Sequence, residues 1–231
     1  MRIPLSKRLK ACADFVTPGH RIADIGCDHG YLSIYLLTNH IASTAIAADI
    51  NEMPLKTAML NAEKFGVREN ISFYLSDGVN AIPRDFGTMI CAGMGADTMI
   101  SILENAPWLR SSQYHFVLQC QSKTPMLRRY LSEQGWRIDR ETVLRDGRFL
   151  YTVMSVCWCP DAPKATAGQQ YLSPALLRSD APELGEFYKQ LCFRLQRAIS
   201  GQGEHADPDM IAALEELEKD PAFQHLKEQT L

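Results

Sequence analysis

The sequence predicts an α/β protein: a parallel sheet that ends in an antiparallel hairpin, followed by a small helical domain. Three observations carry this. Short apolar runs alternate with helical patterns over residues 1–160, the arrangement of parallel strands covered by helices on both faces. Two further strand patterns meet at Asp146-Gly147, a strong hairpin signal. After Pro160 the chain becomes rich in Pro, Ala, Ser and Gly before two amphipathic helical stretches. The expected division is therefore 1–160 and 161–231.

The elements follow in order. Residues 4–15 place Leu5, Leu9, Cys12 and Phe15 at helical spacing and stop at Pro18-Gly19, which predicts a short amphipathic helix. RIADIG reads as a buried strand and YLSIYLLTNH as an apolar helix. STAIAADI is a second strand, and residues 53–65 a helix with Pro54 in its first turn and Gly66 at its end. ISFYLSDG, GTMICAGMG and YHFVLQC are the third, fourth and fifth strands, with helices expected near 97–105 and 124–134. WRIDRETVLRDGRFLYTVMSVCW is the hairpin. DAPKATAGQQYLSPALLRSDAP reads as a linker lying over the sheet. Residues 183–200 and 208–219 are the two final helices, joined by GQGEHAD as an antiparallel pair.

Composition sets the class. The chain has 231 residues, 46% hydrophobic and 22% charged, ordinary for a globular protein with one sizeable core. No apolar run approaches the roughly 20 residues needed to span a bilayer, and the opening MRIPLSKRLKACADF lacks an apolar signal core. The expectation is a cytoplasmic protein without a membrane partner. Seven cysteines argue for reduced thiols. Cys157-Trp158-Cys159 is a poor zinc signature without further ligands nearby, so no metal is expected. Charge is uneven: residues 1–160 hold 17 Lys and Arg against 15 Asp and Glu, while 161–231 hold 7 against 12. The first ten residues carry Arg2, Lys7, Arg8 and Lys10 with no acid, a surface on which a phosphate backbone can dock.

In an open parallel sheet, ligands sit beyond the carboxyl ends of the strands. Those ends read Asp24-Ile25-Gly26-Cys27-Asp28-His29-Gly30, Asp49-Ile50-Asn51, Ser76-Asp77-Gly78 and Ala92-Gly93-Met94-Gly95. A glycine turn lets the backbone approach a ligand closely. Asp49, 25 residues after Asp24 (49 − 24), suits the two hydroxyls of a ribose. Asp77 can accept from an adenine amino group, with Ile50 and Val79 on either side of the ring.

A dinucleotide would need a G-x-G-x-x-G loop with free backbone N–H groups for a pyrophosphate. This loop has Gly26 and Gly30 with Asp28 between them. A carboxylate there repels a pyrophosphate but attracts a sulfonium and an ammonium. The hairpin after strand five resembles the sheet ending of class I methyltransferases. S-adenosylmethionine is therefore the preferred cofactor over a nucleotide.

At this point the chain resembles one family, the bacterial tRNA (adenine22-N1)-methyltransferases. The residues that carry the resemblance are Leu5-Ser6-Lys7-Arg8-Leu9, Ala23 to Leu32 (ADIGCDHGYL), Asp49-Ile50-Asn51, Asp77-Gly78, Cys91 to Ala96 (CAGMGA) and Val117 to Gln121 (VLQCQ). They span residues 1–160 in order. The departures are Gly30 for the family's alanine, Ala96 for its glycine, and Gln119-Cys120-Gln121 for its Q-P-N. The resemblance implies a Rossmann-like class I fold with S-adenosylmethionine, and a C-terminal helical domain that helps hold tRNA.

It also implies attack by adenine N1, a neutral lone pair that loses no proton, so that positioning carries most of the rate and no strong base is required. The chain has no obvious cysteine-nucleophile motif and no NPPY-like stretch after strand four. N1 lies on the Watson–Crick edge, so the base must be unpaired or extruded. Asp28 orients the cofactor ammonium or accepts from the adenine amino group; Tyr31 stacks on the base; Gly93-Met94-Gly95 floor the pocket. His29 is read as a hydrogen-bonding residue of the cofactor loop. Lys7, Arg8, Lys10, Lys123, Arg128 and Arg129 are the expected RNA contacts, with affinity falling steeply with salt. The expected partner is tRNA and the expected state a monomer or weak dimer. Another RNA site, a small-molecule methyltransferase using 161–231 as a lid, and a regulatory RNA-binding module without catalysis remain open.

Overall fold

The structure, a computed structural model, describes residues 3–219 together with 221, 223 and 226. One seven-stranded sheet runs β3-β2-β1-β4-β5-β7-β6. Its strands are β1 (Ile22–Ile25), β2 (Ala45–Asp49), β3 (Ile71–Leu75), β4 (Thr88–Gly95), β5 (His115–Ser122), β6 (Trp136–Asp146) and β7 (Phe149–Trp158). β1 to β5 are parallel, and β7 runs antiparallel to both β5 and β6. The helices between them are α1 (Lys7–Ala13), α2 (Tyr31–Thr38), α3 (Glu52–Lys64), α4 (Ala96–Glu104) and α5 (Thr124–Glu133).

Both faces of the sheet are covered at its centre, where every residue of β1 and β2 is buried. On one face Ala23, Ile25 and Ile46 pack with α4 and α5 through Met99, Leu103, Leu127 and Leu131. On the other, Ile22, Ala45 and Ala47 pack with α1, α2 and α3 through Cys12, Ile34, Leu36 and Ala58. Alternation along an extended chain sends successive side chains to opposite layers, so continuous apolar runs were the right signal.

Two boundaries shift for local reasons. The first helix begins only at Lys7, because the Ser6 hydroxyl accepts the Leu9 N–H at 3.3 Å and caps it there. In the hairpin, Asp146 is the last paired residue, opposite Phe149, and the turn itself is Gly147-Arg148. That frees the Asp146 carboxylate to accept the backbone N–H of Arg8 at 3.1 Å, tying the hairpin tip to the first turn of α1.

The stretch expected as a linker holds two short helices, α6 (Ala167–Tyr171) and α7 (Pro174–Leu177). Thr166 and Gln169 form a capping box, and Ser173 caps α7 ahead of Pro174. Leu172 and Leu176 are fully buried with Val143 of β6 and with α8 (Leu184–Gln202) and α9 (Pro208–Lys219). The segment is clamped to the sheet by a buried polar cluster. Arg128 donates to Glu141 at 2.6 and 3.3 Å and to the carbonyls of Gln170 and Tyr171 at 3.2 and 2.9 Å. Ser173 donates to the same carboxylate at 2.5 Å. Tyr188 of α8 in turn donates to the Leu217 carbonyl of α9 at 2.7 Å. Among the described residues, no helix is long and apolar enough to cross a membrane.

Candidate active site

The β1–α2 turn is built around carbonyls and carboxylates. Gly26 and Cys27 both donate their N–H to the Ala48 carbonyl, at 2.8 and 2.9 Å, which turns the chain off β1 toward β2. Asp28 then adopts φ +50°, a left-handed conformation that aspartate tolerates better than most side chains. Its N–H donates to Asp49 Oδ2 at 3.1 Å, while Asp49 Oδ1 accepts the Asn51 N–H at 2.9 Å. One buried carboxylate therefore holds the turn and the start of α3 together. Gly30 opens α2 with no side-chain cap, and a Cβ there would lie 2.9 Å from the Ala58 Cβ of α3. The close approach of α3 and the left-handed φ of +72° both call for glycine here. A Cβ on Gly26 would meet the Met94 methyl at 2.3 Å; the Met94 side chain lies directly on the turn.

Asp24 is the buried acid of the site. It is 3% exposed, and its Oδ2 accepts from the Ser33 hydroxyl of α2 at 2.8 Å. Desolvation pushes its carboxyl up to about 6, against the stabilising Ser33 hydrogen bonds and with the help of Asp49 and Asp28. A folded-state value above the unfolded one of 3.8 means that the folded chain holds a proton which the unfolded chain releases. The stabilising contribution is complete below pH 4 and is lost as pH rises through 6, at roughly 1.4 kcal/mol per unit. Asp24→Asn is accordingly expected to be more stable than wild type at pH 7 by up to about 3 kcal/mol. It should also lack the wild-type fall in stability between pH 4 and 6. Urea denaturation at several pH values measures this; a variant less stable at pH 7 would contradict it.

Arg8 reaches into the same region from α1. Its guanidinium donates to Oε1 of the fully buried Gln119, whose Nε2 in turn donates to the Cys120 carbonyl at 3.0 Å. Arg8, Asp24, Gly26, Asp28, Tyr31 and Ala92 line a cleft of about 90 Å³. Arg8, expected as an open phosphate contact, is thus a half-buried wall of the site. The sequence marked it as a basic N-terminal residue and as part of Leu5-Ser6-Lys7-Arg8-Leu9, not as a wall of the cleft; its partner lies 111 residues away. Gln119, Ser33 and Tyr151, over whose ring Arg8 sits at 5.9 Å, are site residues to which sequence reasoning assigned no role.

The other expected residues fall as follows. His29 is half exposed, 3.7 Å from the Asp28 carboxylate and edge-on to Tyr31 at 6.2 Å, with its carbonyl accepting from Asn61 at 2.9 Å. Cys27 is buried, and desolvation raises its thiol far above the usual range, which keeps it protonated and unreactive. Ile50 is 63% exposed beside exposed Asn51, while Val79 is buried in the core. Asp77 is exposed at the end of β3, next to Gly78. The chain bulges at Gly93 between Ala92 and Met94, a device common beside active sites. Lys7 and Lys10 are exposed on α1, and Arg2 lies outside the described residues. Lys123 pairs with Asp97 at 2.9 Å, and Arg129 with Glu133 and Asp209. Arg128 corrects the expectation: at 2% exposure and paired with Glu141, it cannot touch RNA. Its position on α5 faces inward because Leu127 and Leu131 do. Among the described residues, no group of three or more His, Cys, Asp or Glu is placed to hold a metal ion.

The net acidity of 161–231 hides a segregation. α8 carries Lys189, Arg194 and Arg197 against Glu186, whereas α9 carries Asp209, Glu215, Glu216 and Glu218 against Lys219. Part of the α9 acid is used internally, Glu216 accepting from Thr166 and Gly168 and Asp209 from Arg129.

A family described as a methyltransferase domain matches residues 5–154. The tRNA (adenine(22)-N(1))-methyltransferase of Bacillus subtilis is 32% identical over 153 residues, 66% of this chain and 64% of that enzyme. The matched stretch therefore spans under two thirds of that relative's length. Its crystal structure superposes on 98% of this chain and 99% of its own, with a TM-score of 0.79 and 27% identity. A proposed tRNA methyltransferase of Mycoplasma genitalium is 32% identical over 179 residues, 75% of this chain and 79% of its own. The crystal structure of a proposed tRNA methyltransferase of Streptococcus pneumoniae, in complex with S-adenosyl-L-methionine, has a TM-score of 0.79 at 26% identity. It covers 97% of this chain and 98% of its own.

Proposed function

This chain belongs to the family of bacterial tRNA (adenine22-N1)-methyltransferases, and from that premise we propose that it methylates N1 of an adenine in tRNA from S-adenosylmethionine. Position 22 is the site named for its Bacillus subtilis relative. The observation that carries the reading is the convergence of carboxylates: Asp49 grips the Asp28 N–H, and Asp24 lies buried with no ion-pair partner among the described residues.

The residues fit the cofactor. Asp24 is an anion held in a desolvated place, which a cofactor ammonium would match. α2 starts at the cleft without a cap, leaving first-turn N–H groups for a carboxylate. Asp49 keeps lone pairs for ribose hydroxyls beyond those given to Asp28 and Asn51. Asp77 and Ile50, both exposed at their strand ends, would hold and cover the adenine. When bound, S-adenosylmethionine supplies an electrophilic methyl group. Asp28, Tyr31 and Met94 stand as the residues nearest the transfer. The positive charge passes from sulfonium to adenine during the reaction, so fixed carboxylates at Asp24 and Asp28 favour both ends of the path. No residue has to remove a proton, in keeping with a site of protonated thiols. Domain division at residue 160 separates a transferring unit from an RNA-holding one. In this reading Lys7, Lys10 and the basic side of α8 face tRNA, which a monomer or weak dimer would meet in the cytoplasm.

The test is methyl transfer from labelled S-adenosylmethionine to bulk bacterial tRNA, followed by nucleoside digestion and mass analysis. The expected product is 1-methyladenosine. A different methylated nucleoside would move the target atom, and cofactor binding without transfer to any tRNA would sink the RNA reading.

A further inference from the structure

A second, larger cavity of about 520 Å³ lies beside the cleft, between the end of β5, the hairpin strand β7 and α8. Its volume suits a single nucleotide. Its walls include Gln121, Lys123, Phe149, Tyr151 and Arg194. Phe149 is 53% exposed and its ring stands 6.3 Å from that of Tyr151. Arg148 lies over Phe149 at 4.9 Å, and among the described residues neither Arg148 nor Arg194 is in an ion pair. Aromatic faces interleaved with cations are what a single-stranded nucleotide stacks and docks on.

The cavity joins the cleft through Arg8, which lines the cleft and lies over Tyr151. The two glutamines at the end of β5 differ in freedom. Gln119 is locked by Arg8 and the Cys120 carbonyl. Gln121 is exposed, and its amide makes one long hydrogen bond, 3.5 Å to the Tyr151 hydroxyl.

We infer that this groove receives the extruded target nucleotide and that Gln121 is its specificity-determining residue, reading N6 and N7 of the adenine while the base lies on Tyr151. The inference rests on the methyltransferase reading above. N1 must keep its lone pair for attack, so the base has to be recognised elsewhere. Its other edge offers the N6 donor and the N7 acceptor, the pair that a glutamine amide matches bidentately. Guanine presents two acceptors there, N7 and O6, and leaves the amide half paired. Arg194 and Lys123 then meet the phosphates. Tyr31 lines the cleft and not the groove, so the base stacking expected of it falls to Tyr151 here.

The test pairs a protein change with an atomic change in the RNA. A tRNA carrying 7-deazaadenosine at the methylated position lacks N7 and keeps N1 and N6. Wild-type kcat/KM is expected to fall roughly tenfold on it. Gln121→Ala should lose roughly tenfold or more on ordinary tRNA and then be indifferent to the deaza substitution. Gln121→Glu, which keeps an acceptor for N6 but no donor for N7, should be equally indifferent. Cofactor affinity by calorimetry should be unchanged in both variants. Wild-type rates in Gln121→Ala, a deaza penalty undiminished in the variants, or lost cofactor binding would each overturn the inference alone. Wild-type protein that methylates no tRNA overturns the function reading and this inference with it.

Discussion

Glu141→Ala is expected to lower the unfolding free energy by about 3–5 kcal/mol. Glu141 and Arg128 are 0% and 2% exposed at their side chains, and Glu141 accepts from Arg128 through both oxygens and from Ser173. Removing it leaves a buried guanidinium with only the Gln170 and Tyr171 carbonyls, in a place that water cannot reach. The Coulomb gain of the intact pair roughly offsets its desolvation, so the pair adds little net stability; the loss arises from the orphaned charge. Because the cluster fastens α6 and α7 to α5 and β6, the variant should also expose the segment 162–178 to proteolysis. Arg129→Ala provides the contrast. Its solvent-exposed pairs with Glu133 and Asp209 are screened by water, so the urea midpoint should barely move. Equal urea midpoints for Glu141→Ala and wild type would refute the assignment.

Asp49→Ala is expected to weaken S-adenosylmethionine binding by roughly 100-fold or more, since hydrogen bonds to a charged group contribute about 1.5–3 kcal/mol each. Two effects add. The carboxylate that would accept the ribose hydroxyls is gone, and the Asp28 and Asn51 N–H groups lose the acceptor that shapes the turn. Asp49→Asn keeps one acceptor and should fall between. Calorimetry with the cofactor is the measurement, with tRNA affinity as the control that the fold and RNA surface persist. Unchanged cofactor affinity in Asp49→Ala would remove the ribose role, and equal loss of tRNA affinity would point to general misfolding.

Much of this site could be read along the chain. Asp24, Asp28 and Asp49 stand at strand ends because strands stop where their apolar runs stop, and that pattern is local. The hairpin was legible for the same reason, although its turn moved one residue, to Gly147-Arg148. The two short helices after residue 160 also had local signals, a capping box at Thr166 and a serine before Pro174. The Pro-, Ala-, Ser- and Gly-rich composition of the segment masks those signals.

The fate of individual charges was not legible. Arg8, Arg128 and Arg129 look alike in sequence, yet one walls the cleft against Gln119, one is buried against Glu141, and one sits on the surface. Likewise, Gln119 and Gln121 are two residues apart on β5, and only the first meets Arg8. Apolar periodicity records which side of its own element a residue occupies, and the sequence by itself settled the strands, the helices and the row of acids at the sheet's edge. Whether a polar side chain pairs, stacks or stays in water depends on what faces it from elements far along the chain. Desolvation makes that difference worth several kcal/mol, and only the tertiary structure decides it.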